Sequence, residues 1–132
     1  MLFTFEFTIP AGTSKDNPVR QTIYLTEGVL TKVSVYFPAG IWCSAGLRFM
    51  YGDIPIMPYN VDAWITGEDE TIEWEEKIEL YDYPYALNVE LYNEDTYDHK
   101  IYVRIEVLPT EKAEPWRAII DFTRAVKELV GL

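Results

Sequence analysis

The chain is short of several things at once. It holds one cysteine, one histidine, one glutamine, and half as many basic residues as acidic ones: 11 Lys and Arg against 22 Asp and Glu. A lone Cys43 can close no disulfide within the chain, so oxidation cannot staple this fold. A lone His99 leaves too few imidazole and thiolate ligands for an ordinary catalytic zinc site. The formal charge of −11 repels a phosphate backbone, which excludes nucleic acid as an expected partner. No apolar run approaches the roughly 20 residues that cross a bilayer. The first ten residues, MLFTFEFTIP, lack the charged start of a signal peptide and alternate instead, so a soluble protein is expected. Nucleophile-elbow, phosphate-loop and dinucleotide motifs are also missing. What remains is 132 residues, 48% of them apolar, enough for one domain with a real core.

Alternation with a period of two runs through most of that length. Phe3, Phe5, Phe7 and Ile9 share one face of an extended segment, with Thr4, Glu6 and Thr8 on the other. After the loop AGTSKDNP come Val19–Thr26 and Val29–Phe37, which the EG pair between them suggests as a hairpin. A fourth strand is expected around Ala45, Leu47, Phe49 and Tyr51. The two prolines of DIPIMPYN suit an edge strand or an extended connection. Short apolar patches follow at Ala63–Ile65, Thr71–Trp74 and Lys77–Leu80. The clearest alternations are Tyr85–Tyr92 and Ile101–Val107. About eight strands with frequent turn signals predict an all-β antiparallel sandwich of jelly-roll type over residues 1–109.

Residues 110–132 change period. Pro115 fits a first helical position, and Trp116, Ile119, Ile120, Val126, Leu129 and Val130 recur three and four apart, which predicts one C-terminal amphipathic α-helix behind a short linker. Residues 115–132 carry net +1, against −12 for residues 1–114. That is too little positive charge for a lipid surface, so its own sandwich or a neighbouring subunit is the expected destination. Trp116, Ile119, Ile120, Phe122, Val126 and Leu129 are the expected protein-contact residues. Removing residues 110–132 should leave a folded sandwich that no longer assembles.

Potential chemistry is densest in YNEDTYDHK, Tyr92–Lys100. His99 with Asp95 and Asp98 is the one conceivable acid/base or metal-hydrolase set, and it lacks further ligands. Asn93, Asp95 and Asp98 are the calcium candidates, alone or with the GEDE loop at Gly67–Glu70, yet the spacing misses the calcium-loop frame. A solvated connection between two strands is the expected role, with no catalytic residue and no cofactor. Cys43 has no basic neighbour in sequence to activate it and reads as a small buried residue. Trp64, Trp74 and the aromatics of Tyr81–Tyr85 would serve a carbohydrate-binding or adhesion module if they formed one exposed strip; core and cross-strand packing is the competing reading.

NPV (Asn17–Val19), EGVLTKVSVYFPAG (Glu27–Gly40), IPIMPYN (Ile54–Asn60), ITGEDETI (Ile65–Ile72), LYNEDTYDH (Leu91–His99) and IEVLP (Ile105–Pro109) together give the chain a family likeness. It resembles small β-sandwich virion proteins of tailed viruses and proviruses from thermophilic hosts. The resemblance implies a non-enzymatic decoration or cement protein, or a related surface appendage, on the capsid surface. It also implies major capsid protein or other virion proteins as partners, and a homo-oligomer, often a trimer. It adds no cofactor.

Overall fold

The computed structural model describes residues 1–109 together with 126 and 127. Nine strands follow one another: β1 (Leu2–Ile9), β2 (Val19–Tyr24), β3 (Gly28–Phe37), β4 (Ala45–Tyr51), β5 (Ile54–Met57), β6 (Ile65–Thr66), β7 (Glu70–Leu80), β8 (Ala86–Asn93) and β9 (His99–Leu108). They form two antiparallel sheets, ordered β1-β9-β3-β7 and β2-β8-β4-β5, with β6 beside β4. Residues 1–109 are all-β. Of the expected C-terminal helix only Val126 and Lys127 are described, both helical and exposed; its other contact residues Trp116, Ile119, Ile120, Phe122 and Leu129 lie outside the described residues.

Period-two alternation decides which side chains go inward. Val33, Val35 and Phe37 of β3, Ile101, Val103, Ile105 and Val107 of β9, Leu47 and Phe49 of β4, and Leu87, Val89 and Leu91 of β8 join one apolar core drawn from both sheets. Phe49 is fully buried, so truncating it to alanine would cost about 3–5 kcal/mol. A register shift between Leu30 and Lys32 interrupts β3, and there Val29 and Leu30 are both buried. A second shift, opposite Phe49 and Met50, leaves Ile56 of β5 as the extra residue; on β4, Met50 is buried and Tyr51 exposed.

Pairing is nested: β1 bonds to β9, β2 to β8, β3 to β7, and β4 to β5. The expected hairpin of Val19–Thr26 with Val29–Phe37 does not form. β2 and β3 belong to different sheets, and the short connection between them carries the chain across the core. Ile23 and Leu30 face the same interior from opposite sides, so they show the same alternation that a hairpin would. The patches Thr71–Trp74 and Lys77–Leu80 are parts of one strand, β7.

The registers Ile9↔His99, Phe37↔Glu70 and Ala45↔Asn93 bring four connections to one end of the fold: 10–18, 38–44, 67–69 and 94–98. The connections 25–27, 52–53 and 81–85 lie at the other end. The acidic stretch from the sequence therefore sits among three other loops.

Candidate functional site: a hydrogen-bonded loop end

Asn93 closes β8 and is wholly buried at 0% exposure. A buried amide needs partners for both ends. Its Nδ2 donates to the carbonyls of Ile9 at 3.0 Å and Tyr97 at 2.7 Å, and its Oδ1 accepts from the Asp95 amide at 3.0 Å. One side chain thus folds the 94–98 loop and ties it to the end of β1.

Asp95 and His99 meet across one turn of that loop, with Oδ2 2.7 Å from Nε2. Asp95 Oδ1 also accepts from the Thr96 amide at 2.7 Å. The hydrogen bond from His99, and after it that from Thr96, hold the Asp95 carboxyl below its ordinary range. Asp98 turns to another partner, accepting from the Ala11 amide at 2.8 Å. The carboxylates therefore bond to His99 and to main-chain N–H groups that fix the loop. Among the described residues no three His, Cys, Asp or Glu side chains gather closely enough to hold a metal ion.

The bonding continues through all four loops. Gly12 N–H donates to the Asp95 carbonyl, Asn93 N–H to Thr13, Glu94 N–H to Ser44, and Cys43 N–H to Gly67. Glu68 then accepts from the amides of Gly40 at 2.7 Å and Ile41 at 3.1 Å. The GEDE carboxylates expected as solvated or calcium-binding thus include one that holds the neighbouring turn. Loop backbone is usually the mobile part of a domain; here each loop is fastened to the next.

Two large aromatics stand on this end, Trp42 at 79% exposure and Tyr97 at 73%. Trp42 and Cys43 both take left-handed backbone, with φ of 51° and 60°. That conformation costs a non-glycine residue about 1–2 kcal/mol. Ser44 secures the turn, its N–H and Oγ both donating to the Ile41 carbonyl. Cys43 is exposed, a correction to the buried role expected of it: the left-handed turn carries it out of the strand alternation. Sequence reasoning passed over Trp42 as well, because a turn of small residues around a tryptophan looks the same whether the ring is in or out.

The aromatics weighed as a sugar platform are dispersed. Trp64 lies edge-on to Tyr92, ring centres 4.8 Å apart, beneath the Arg48 guanidinium at 4.4 Å. Arg48 bonds in turn to Glu90, which is 8% exposed, at 3.3 Å, so the outer face of this sheet carries its own half-buried polar layer. Burial there pushes the Tyr92 hydroxyl up to about 12. Trp74 stands on β7, where its Nε1 donates to Glu76 at 3.1 Å. Tyr83 and Tyr85 pack edge-to-face at the opposite end of the fold. No single flat strip joins them.

No family model matches the chain, and no curated protein matches it. Among the solved structures that match is one titled "Crystal structure of PirA", 12% identical, covering 78% of this chain and 93% of that chain with a TM-score of 0.42. That likeness is too slight to bear on fold or function.

Proposed function

We propose that the protein is a non-enzymatic binding protein that works by protein–protein contact, and that its setting is a virion surface, as a capsid decoration or cement component. Trp42 carries the contact reading. An exposed tryptophan held on unfavourable backbone by a fastened loop is an anchor that loses little freedom on binding. A solvated turn with no partner would have no use for that cost. For the setting, the support is the strand pairing together with the sequence resemblance. Nested pairs of first with last strand, second with second-to-last and so inward are what a long folded ribbon gives when it wraps into a jelly roll, an architecture common in capsid proteins. The proposed assembly is a homo-oligomer, with a trimer favoured, and residues 110–132 supply a second contact.

Trp42→Gly is the discriminating variant. Glycine accepts a φ of 51° without strain, so the thermal midpoint should hold or rise. Affinity for assembled shells of the major capsid protein from the same genome should fall about 30-fold or more, the loss of a tryptophan anchor of ~2 kcal/mol. Wild-type protein that stays unbound when sedimented with those shells, or a variant that binds as well as wild type, overturns the reading.

A further inference from the structure

Most of the cations on the strands are engaged. Arg20 pairs with Asp53, Lys32 with Glu73, Arg48 with Glu90 and Lys100 with Glu6, and Lys77 is not free either. Arg104 of β9 is exposed, and among the described residues its side chain makes no ion pair or hydrogen bond. In a chain with 22 acidic residues to 11 basic ones, a strand cation without a carboxylate is the exception. Its register explains it. The residues opposite Arg104 are Thr4 on β1 and Ser34 on β3, and the carboxylates around them on that face are placed elsewhere: Glu6 bonds to Lys100, Glu73 to Lys32, and Glu106 lies opposite Lys32.

Aromatic surface stands beside this free charge. Alternation puts Tyr102 of β9 and Tyr36 of β3 on the same outer face as Arg104 and Ser34, and the two rings meet 5.9 Å apart, tilted by 41°. Thr4, Tyr36, Tyr102 and Arg104 border an opening of about 530 Å³, a size that suits a small-molecule site. Tyr36 is 41% exposed and so offers ring surface to a ligand, while Tyr102 is half-buried and forms a wall.

We propose that this opening binds an acidic sugar, a pyranose ring carrying one carboxylate. The guanidinium fork of Arg104 would take the carboxylate through two parallel N–H···O bonds. The apolar face of the ring would lie on Tyr36, and its hydroxyls would exchange hydrogen bonds with Thr4, Ser34 and the two phenols. An apolar ligand would leave those hydroxyls unpaired, and a neutral sugar would leave Arg104 unused. Net charge narrows the choice further. At −11 the chain repels a dense polyanion, whereas a glycan with isolated carboxylates needs only the short-range field of Arg104. The proposal does not rest on the Trp42 contact, so either can fail without the other.

The test titrates the full chain calorimetrically with sialyllactose and with tetragalacturonate. At least one should bind saturably, and lactose and the methyl-esterified tetragalacturonate should not. Arg104→Gln, an exposed change that leaves the core alone, should weaken binding about tenfold or more, or ~1.4 kcal/mol. Arg104→Lys keeps the charge without the fork and should also weaken it, and Tyr36→Ala should do the same while Tyr36→Phe keeps most of it. Melting midpoints of these variants should match wild type. Binding by neither acidic glycan, equal binding by the neutral ones, an unaffected Arg104→Gln variant, or equal competition by acetate or by a peptide with a free carboxyl terminus overturns the proposal.

Discussion

Replacing Asn93 tests the loop end at its most constrained point. Asn93→Ala removes three hydrogen bonds, two donated by Nδ2 and one accepted by Oδ1, and strands the carbonyl of Ile9 and the amide of Asp95. At about 1 kcal/mol net each, with the penalty for unpaired buried groups deciding the upper end, the loss is about 2–4 kcal/mol. For a domain of this size that lowers the thermal midpoint by roughly 10 °C. Asn93→Asp is the sharper variant, because it keeps the acceptor and sets a second carboxylate oxygen against the carbonyls of Ile9 and Tyr97. At neutral pH it should cost more than alanine. The new carboxyl is buried among acceptors, so its folded pKa is raised, and the protonated form can donate one of the lost bonds. Its deficit relative to wild type should therefore shrink as pH falls toward 4, whereas the alanine deficit should stay level. Urea unfolding followed by tryptophan fluorescence at both pH values measures the two. An aspartate variant no worse than alanine at pH 7, or one insensitive to pH, would refute the assignment of Nδ2 as the donor to both carbonyls.

Asp95 gives a pH dependence of the opposite sign. Its folded pKa lies below the ordinary value near 4, so its contribution is whole above that value and is lost as pH falls through the folded one; thermal melts between pH 2 and 5 should show a slope that Asp95→Asn reduces. Tyr92 is raised to about 12, so stability should be intact below pH 10 and decline as pH climbs toward 12, and absorbance near 295 nm should show one tyrosine ionising late, absent in Tyr92→Phe. At Gly28, with φ at 148°, an added Cβ would come within 2.2 Å of the Leu108 carbonyl oxygen, so Gly28→Ala should lower the melting midpoint more than Gly12→Ala, whose Cβ meets nothing within 4 Å.

The inward faces of the strands were readable in the sequence because alternation reports burial directly: Phe7, Ile9, Val33, Val35, Leu87, Val89, Ile101 and Val103 all lie in the core. Partners were not readable. Ile23 and Leu30 line one interior whether their strands are neighbours or face each other across it, so the period cannot separate a hairpin from a crossing. The chemistry of YNEDTYDHK was visible as composition, but its purpose depends on bonds donated by the Ala11 and Gly12 amides and one accepted by the Thr13 carbonyl, some 80 residues away. Trp42 escaped notice for a related reason: a left-handed turn breaks the alternation that would otherwise have predicted a direction for the ring.

The nested pairing also bears on how the chain comes off a ribosome. In each sheet the strand that joins the two halves is made late: β9 lies between β1 and β3, and β8 between β2 and β4. When residue 85 has just been synthesised, β1 and β2 still lack every strand they will bond to, and only β3 with β7 and β4 with its short neighbours can be in place. A stepwise, end-to-end build-up is closed to this topology: β2 can pair only once β8 is made, at residue 93, and β1 only once β9 is made, at residue 108. Until then, the apolar face of β1 is held by nothing but the nascent chain's own collapse.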